Sequence, residues 1–296
     1  MAAGVVIDRL VGEPPADTHP VAAFGRAMGA LEDRRWANSR VAGAAHVAIG
    51  VGLGAVAGLA LRSTAAATYL AVAGRALDDA AAEVERALLD GDLNRARERL
   101  PALVGRDPSG LDAHEVARAA IESLAENSVD AVVAPAVWAV VAGAPGALGY
   151  RALNTLDAMV GHRTERHQRF GWASARLDDA ANWVPARIAA ALVAVVRPGS
   201  ATTVVSVVRR DAPGHPSPNG GVIEAAFAAA LGLRLGGPSR YPGGHEVRPT
   251  LGSGRRPTPA DIADARRLAR DLHLALAVTL ALGAVARRST RREVRR

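Results

Sequence analysis

Val41 to Leu61 carries no charged residue over about 21 positions, enough for one α-helix to cross the core of a bilayer. Gly50, Gly54 and Gly58 recur in it at four-residue spacing, which leaves one helix face bare for close approach of a second helix. His46 is its one polar interruption and is expected to pack against a neighbouring helix. The competing reading is an Ala/Gly-rich core helix of a soluble protein. Against it, further apolar stretches follow at about 65–77, 131–148, 184–196 and 272–286. Strand signals are weak throughout. The fold class expected is all-α: a polytopic helical integral membrane protein, one domain over 1–296, with broken or short spans and polar catalytic loops.

Several of these stretches are poor spans. The 65–77 run merges into an amphipathic acidic pattern, DDAAAEVERALLDGDLNRARERL, and Leu111–Glu126 reads as a further amphipathic helix. Pro135 and Pro145 lie inside 131–148, while Pro185 and Arg187 interrupt 184–196, so neither is expected to be one continuous helix. Full crossings there would put Arg151–Arg187 on the opposite face from Glu126–Asp130 and Arg209–Asn219. Re-entrant helices lining a cavity remove that conflict. Pro198–Arg256 is rich in Gly and Pro and reads as loop, apart from a helix over Gly221–Leu233.

Composition narrows the chemistry. Without Cys there are no disulfides, thiolate metal sites or cysteine nucleophiles. All 36 basic residues are Arg, so a P-loop lysine and a Schiff-base lysine are excluded as well. Arginine still offers a bidentate grip on phosphate or carboxylate. The net charge of +7 admits nucleic acid, but aromatics are only 3% and no nucleic-acid motif is present, so no nucleic-acid partner is expected. The tail RRSTRREVRR reads as lipid-facing. Met1–Leu10 already carries Asp8 and Arg9 and does not read as a signal peptide.

Four polar clusters interrupt this apolar background. Asp8, Gly12–Pro14, His19 and Gly25 form the first, and a Gly/Pro turn with a capping Asp accounts for them. Glu126, Asn127 and Asp130 form the second, for which polar caps at a helix end are the plain alternative. The third runs from Arg151 to Arg187 and holds Asn154, Asp157, Glu165, Arg166, Arg176, Asp178, Asp179, Asn182 and Arg187. Charge beside a bilayer is costly unless paired or used, so a site is a better account than a solvated loop. Asp178 and Asp179 suit Mg²⁺, and Asn154 and Asp157 share a helix face. His162 and His167 are spaced poorly for a zinc site. The fourth is RRDAPGHPSPNGG, with Arg210, Asp211, His215, Ser217 and Asn219 on a Pro/Gly frame. Asn219 is placed to cap the helix that follows, whose N-terminus is an anion site. No nucleophile–base pair is evident, which points to charge neutralisation and orientation.

The order and wording of these clusters resemble the CobD/CbiB family of cobalamin biosynthesis, the adenosylcobinamide-phosphate synthases. The segments LVGEPPADTHPVAAFG, GRDPSGLDAHEVARAAIESLAENSVDAVVAPAVW, LNTLDAMVGHRTERHQRFGWASARLDDAANWVPAR and RRDAPGHPSPNGGVIEAAFAAALGLRLGG carry the resemblance, which covers nearly the whole chain. The N-terminus departs from it: only Met1–Ile7 precedes Asp8, where family members begin with a longer apolar segment. The resemblance implies a multi-pass enzyme of the cell (inner, cytoplasmic) membrane. It would join a propionate of adenosylcobyric acid to 1-aminopropan-2-ol or its O-phosphate, with ATP and Mg²⁺, through an acyl phosphate. Other late cobalamin-pathway membrane enzymes are implied partners, and membrane lipid is a further one. The roles expected are Asp178 and Asp179, with Asp157, for Mg²⁺, and Arg166, Arg176 and Arg210 for phosphate or carboxylate. Glu126 or Glu165 would take the amine proton, and His215 and Asn219 the amino-alcohol phosphate. Asn127, Asn154 and Asn182 would meet corrin amides. A corrinoid transporter is the rival reading, weakened by the lack of an internal repeat and by clusters lying in loops.

Overall fold

A computed structural model describes residues 1–15, 18–105, 107–162, 164–241 and 244–293. Twelve α-helices and one two-stranded ribbon are seen among them. The helices are α1 (Ala2–Val11), α2 (Pro20–Arg35), α3 (Arg40–Leu61), α4 (Thr64–Ala71), α5 (Gly74–Leu89), α6 (Leu93–Arg99), α7 (Ala113–Ser128), α8 (Ala134–Val160), α9 (Trp172–Val196), α10 (Ala201–Asp211), α11 (Gly220–Leu231) and α12 (Asp261–Glu293). Four helical runs are long and apolar enough to cross a membrane: α3, the run Ala113–Val160, α9, and Asp261–Ala286. The chain is a helical, polytopic membrane protein.

The bare face of α3 does what its spacing predicts. A Cβ placed on Gly54 would lie 2.5 Å from the Leu148 carbonyl, and one on Gly58 would lie 2.5 Å from that of Ala144. A Cβ on Gly50 would meet a side chain instead, lying 2.6 Å from Leu156 Cδ1. As α3 advances, its partners on α8 retreat, so the two helices run antiparallel with their backbones nearly touching. Van der Waals contact of this kind is the main force available between helices in lipid. His46 is buried, and the ring it packs against at a tilt is Phe170, in the turn before α9 rather than in a helix.

The Ala113–Val160 run does not cross in one direction. Ala142 and Gly143 leave helical geometry, and Gly143 has φ 67° and ψ −145°, open to glycine alone. Asn154 nonetheless hydrogen-bonds Asp178, which lines one small pocket together with Asp130, although a straight helix would separate positions 130 and 154 by about 36 Å. The chain therefore turns back on itself at Ala142–Gly143. This reversal is one of the broken helices that the prolines of 131–148 predict.

Neither Pro135 nor Pro185 breaks its helix: 131–148 is interrupted as expected, but at Ala142–Gly143, whereas 184–196 is continuous, contrary to expectation. Proline has no N–H for the carbonyl four residues earlier. For Pro135 that is the Ala131 carbonyl, which accepts instead from Ala73 N–H at 2.9 Å. For Pro185 it is the Ala181 carbonyl, which accepts from the Trp138 indole at 3.2 Å. Helix α9 thus continues through Pro185 over its 25 residues. Replacing Trp138 by Phe keeps an aromatic ring and removes the donor. It is expected to cost about 1–3 kcal/mol, read as a lower thermal unfolding midpoint in detergent; an unchanged midpoint would contradict this account of α9.

The loop expected over 198–256 also contains more order than its Gly and Pro content suggests. It holds α10 and an antiparallel ribbon of β1 (Leu235–Tyr241) and β2 (Gly244–Leu251), beside the anticipated α11. Leu235 and Leu251 seal a second apolar core with α5, α6, α7 and the start of α12. The apolar 65–77 run divides at Val72–Ala73 into α4 and α5, and the Asp8 carboxylate accepts from Gly74 N–H and Arg75 N–H at the start of α5. Arg266 of α12 binds Asp78 and Glu85 of α5, and Arg9 of α1 joins the same Asp78.

A candidate active site at the helix reversal

The reversal brings three of the four clusters together. A small pocket of about 30 Å³ is lined by Glu126, Asp130, Asp178, Asp179, Asn182, Ser217 and Asn219, among others. Asp178 is its hub. Asn182 Nδ2 donates to Asp178 Oδ2 at 2.9 Å and Asn154 Nδ2 to Oδ1 at 3.4 Å, while the Tyr150 hydroxyl donates to Asn182 Oδ1 at 2.8 Å. Asp130 lies in the π-helical turn Val129–Val133, where the backbone widens; such turns recur at functional sites. Asn154 and Asp157, whose i, i+3 spacing predicts one shared helix face, both lie in helix on the returning arm of α8. These residues sit on helices, not in the loops expected for them. One ground against the transporter reading is thereby lost.

Among the described residues none of Glu126, Asp130, Asp157, Asp178 and Asp179 forms an ion pair with an arginine. Five carboxylates share this corner of the bundle, and Asp157 Oδ1 is buried without a hydrogen-bond partner. Hard oxygen donors, one of them unspent, suit Mg²⁺. Among the described residues no three acidic or imidazole groups converge as a ready ligand set. One or two carboxylates completed by waters is the mode that Mg²⁺ prefers.

Beside this pocket, and sharing Asp179 with it, lies a cavity of about 700 Å³ lined by His162, His167, Trp172, Arg176, Arg187, His215 and Pro218, among others. Its far wall is the HPSPNGG loop. Ser217 Oγ, not Asn219, caps α11, accepting from Asn219 N–H at 3.3 Å and Gly220 N–H at 3.0 Å. Asn219 instead donates to the Asp179 carbonyl at 2.7 Å, docking the loop on α9. His215 Nδ1 accepts from Ser217 N–H at 3.1 Å, and its Nε2 lies 3.7 Å from the buried Glu224 of α11. The ring rests on Gly221, where no side chain fits.

Burial holds the His215 imidazole below its ordinary value. Its contribution to stability is then fully present above the unfolded value of about 6.5 and declines as pH falls below it, because the unfolded chain takes up a proton that the folded site refuses. The thermal midpoint should drop between about pH 7.5 and 5.5, and His215→Gln should flatten that slope. An equal slope in the variant would refute this.

Other expected site residues are engaged elsewhere. Arg166 binds Glu32 at 2.9 Å and Asp33 at 3.5 Å and lies over the Trp36 ring. Burial alone would raise the Glu32 carboxyl, but His167 and Arg166 outweigh it and hold it below its usual range. This set ties the 162–171 turn to α2. Glu165 is exposed in that turn. Arg210 pairs with its neighbour Asp211, which also accepts from Gly252 N–H and so pins α10 to the end of the ribbon. Asn127 spends its amide on Ser123 of its own helix. The first cluster keeps to capping: Asp8 caps α5 and His19 caps α2. One contributor escaped the sequence reading, Tyr150, while Arg187 of the third cluster lines the cavity. Tyr150 had a signal, standing one turn before Asn154 on the same face.

Residues 1–269 match the family model described as "CobD/Cbib protein". A Mycobacterium tuberculosis protein named cobalamin biosynthesis protein CobD is 47% identical over 288 residues, covering 93% of this chain and 92% of its own. Proteins of the same name from Rhodobacter capsulatus and Chromobacterium violaceum are 50% and 42% identical, covering 73% and 95% of this chain and 68% and 96% of their own. No solved structure matches. With the sequence motifs gathered at one helix reversal and the match running through nearly all of them, the chain belongs to the CobD/CbiB family.

Proposed function

We propose that this protein acts in cobalamin biosynthesis as an amide-forming ligase. It joins a propionate carboxylate of adenosylcobyric acid to the amine of 1-aminopropan-2-ol or its O-phosphate, using ATP, and yields adenosylcobinamide or its phosphate. The observation that carries this reading is the group of five carboxylates, without an arginine partner among the described residues, set against a large cavity whose wall carries Arg176 and Arg187. A carboxylate does not condense with an amine unaided. Transfer of a phosphoryl group to the propionate oxygen makes the acyl carbon electrophilic; the amine then attacks it and phosphate leaves.

The chain's own residues orient and neutralise. Asn154 and Asn182 hold Asp178 in one rotamer, and Asp179 stands where pocket and cavity meet. Mg²⁺ held by Asp178 and Asp179, with Asp157 near, would neutralise phosphate charge. Of the two carboxylates considered for the amine proton, Glu126 lines the pocket and is exposed to incoming substrate, so that role falls to it.

Corrinoid transport is the second reading, favoured by one observation: polar groups on a re-entrant helix are also how transporters build midplane sites. Membranes supplied with adenosylcobyric acid, each amino-alcohol and Mg-ATP decide between them. Mass spectrometry should find a cobinamide product; uptake without conversion would sink the ligase reading.

A further inference from the structure

Arg187 stands on the wall of the 700 Å³ cavity, within a helix long and apolar enough to cross a membrane. Among the described residues it has no acidic partner. Its guanidinium lies 4.0 Å from the Trp183 ring centre. Nη1 donates to the Trp183 carbonyl at 2.7 Å and to Asn219 Oδ1 at 3.4 Å, and Nη2 to the Pro218 carbonyl at 3.5 Å. Every one of these acceptors is neutral, and two of the three bonds are long. Arg166, Arg197, Arg210, Arg255 and Arg266, in contrast, all meet carboxylates.

Arginine cannot shed its proton in a protein, so the charge at position 187 persists. In a membrane-embedded helix a persistent charge is costly unless paired or put to use. The Trp183 face returns only part of that cost. What remains is a planar fork of donors at a cavity wall, with Arg176 on the same cavity. Such a fork matches the oxygens of a phosphoryl group. Asp179 lies between this basic side and the acidic pocket, so a phosphate seated here would have the carboxylate cluster as its neighbour.

We propose that Arg187 seats a phosphoryl group of a substrate, either the phosphate monoester of the amino-alcohol or a terminal phosphate of the nucleotide. This rests on the reading of the cavity as the place where phosphate chemistry occurs, and names the residue that binds it.

The test is a binding titration on the full-length protein in detergent, without turnover, using aminopropanol O-phosphate, free aminopropanol, inorganic phosphate and ATP as probes. Loss of charge-assisted bonds in Arg187→Gln should weaken one phosphorylated ligand about ten- to hundredfold. Free aminopropanol should bind as before, and Arg187→Lys should recover part of the loss. Weakening of the O-phosphate assigns the seat to the amino-alcohol; weakening of ATP assigns it to the nucleotide. Arg210→Gln, whose partner is Asp211, should change neither. Unchanged affinity for every phosphorylated probe in Arg187→Gln would overturn the proposal. So would an equal loss in Asn219→Ala with no recovery by lysine, since Arg187 would then only hold the loop in place. A wild-type protein that binds phosphate through Arg187 yet forms no cobinamide would defeat the ligase reading and leave the seat standing.

Discussion

Replacing Asp178 by alanine is expected to lower cobinamide formation in membranes by about a hundredfold or more, with little loss of folded protein. Asp178 accepts from both Asn154 and Asn182 and lies beside Asp130 and Asp157. Its removal frees both amides and deletes a central charge of the acidic group. Loss of one preorganised electrostatic contact costs about a hundred- to a thousandfold in rate. Asp178→Asn is nearly as damaging, because its amide nitrogen opposes one of the two asparagine donors that the carboxylate accepted. Fold is spared for a definite reason: removing one of several crowded like charges relieves repulsion. Product formation by mass spectrometry, normalised to protein in the membrane, is the measurement. Full activity in Asp178→Ala would remove the acidic pocket from the chemistry.

The largest effect on stability is expected at Gly54. A leucine there would place its Cβ 2.5 Å from the Leu148 carbonyl oxygen and 2.9 Å from Ala152 Cβ. The obstacle is backbone, which cannot rotate aside, so α3 must separate from α8. Overpacking of this kind costs about 3 kcal/mol or more, and separation forfeits the contacts that hold the pair together in lipid. Gly52, on the opposite face of the same helix, faces open space: a Cβ placed there meets no atom within 4 Å, so Gly52→Leu should be tolerated. Thermal unfolding and monodispersity in detergent compare the two. Equal behaviour of Gly54→Leu and Gly52→Leu would contradict the packing.

These two residues also show what is legible in a sequence of this kind. Gly54 was legible because an uncharged run of span length with glycines at every fourth position has few other uses. Asp178 was legible because carboxylates beside apolar helices are expensive. The reversal at Ala142–Gly143 was less so. Pro135 and Pro145 drew attention as breakers, yet the break falls between them, at a glycine in a conformation open to glycine alone. Pro185 misled for a related reason: the Trp138 indole that repairs its helix stands 43 residues from the Ala181 carbonyl it satisfies. Arg166 and Arg210 looked like phosphate ligands because their carboxylate partners cannot be paired with them by pattern. Glu32 is 134 residues from Arg166. Arg187 is legible as a member of the polar tract but not in its role, because nothing local reveals that an arginine lacks an acidic partner.

All of this rests on the chain turning back so that the end of α7 meets the returning arm of α8. The chain has no cysteine, so thiols introduced at Glu126 and Asp157 are unique. In this fold Glu126 lines one pocket with Asp178, which is hydrogen-bonded by Asn154 one turn from Asp157, whereas an unbroken helix would hold positions 126 and 157 about 46 Å apart. A short bifunctional thiol reagent applied to the double-cysteine protein in membranes should link the two positions within one chain. Failure to link them, together with a spin-label separation approaching that of the unbroken helix, would contradict the reversal and with it the site.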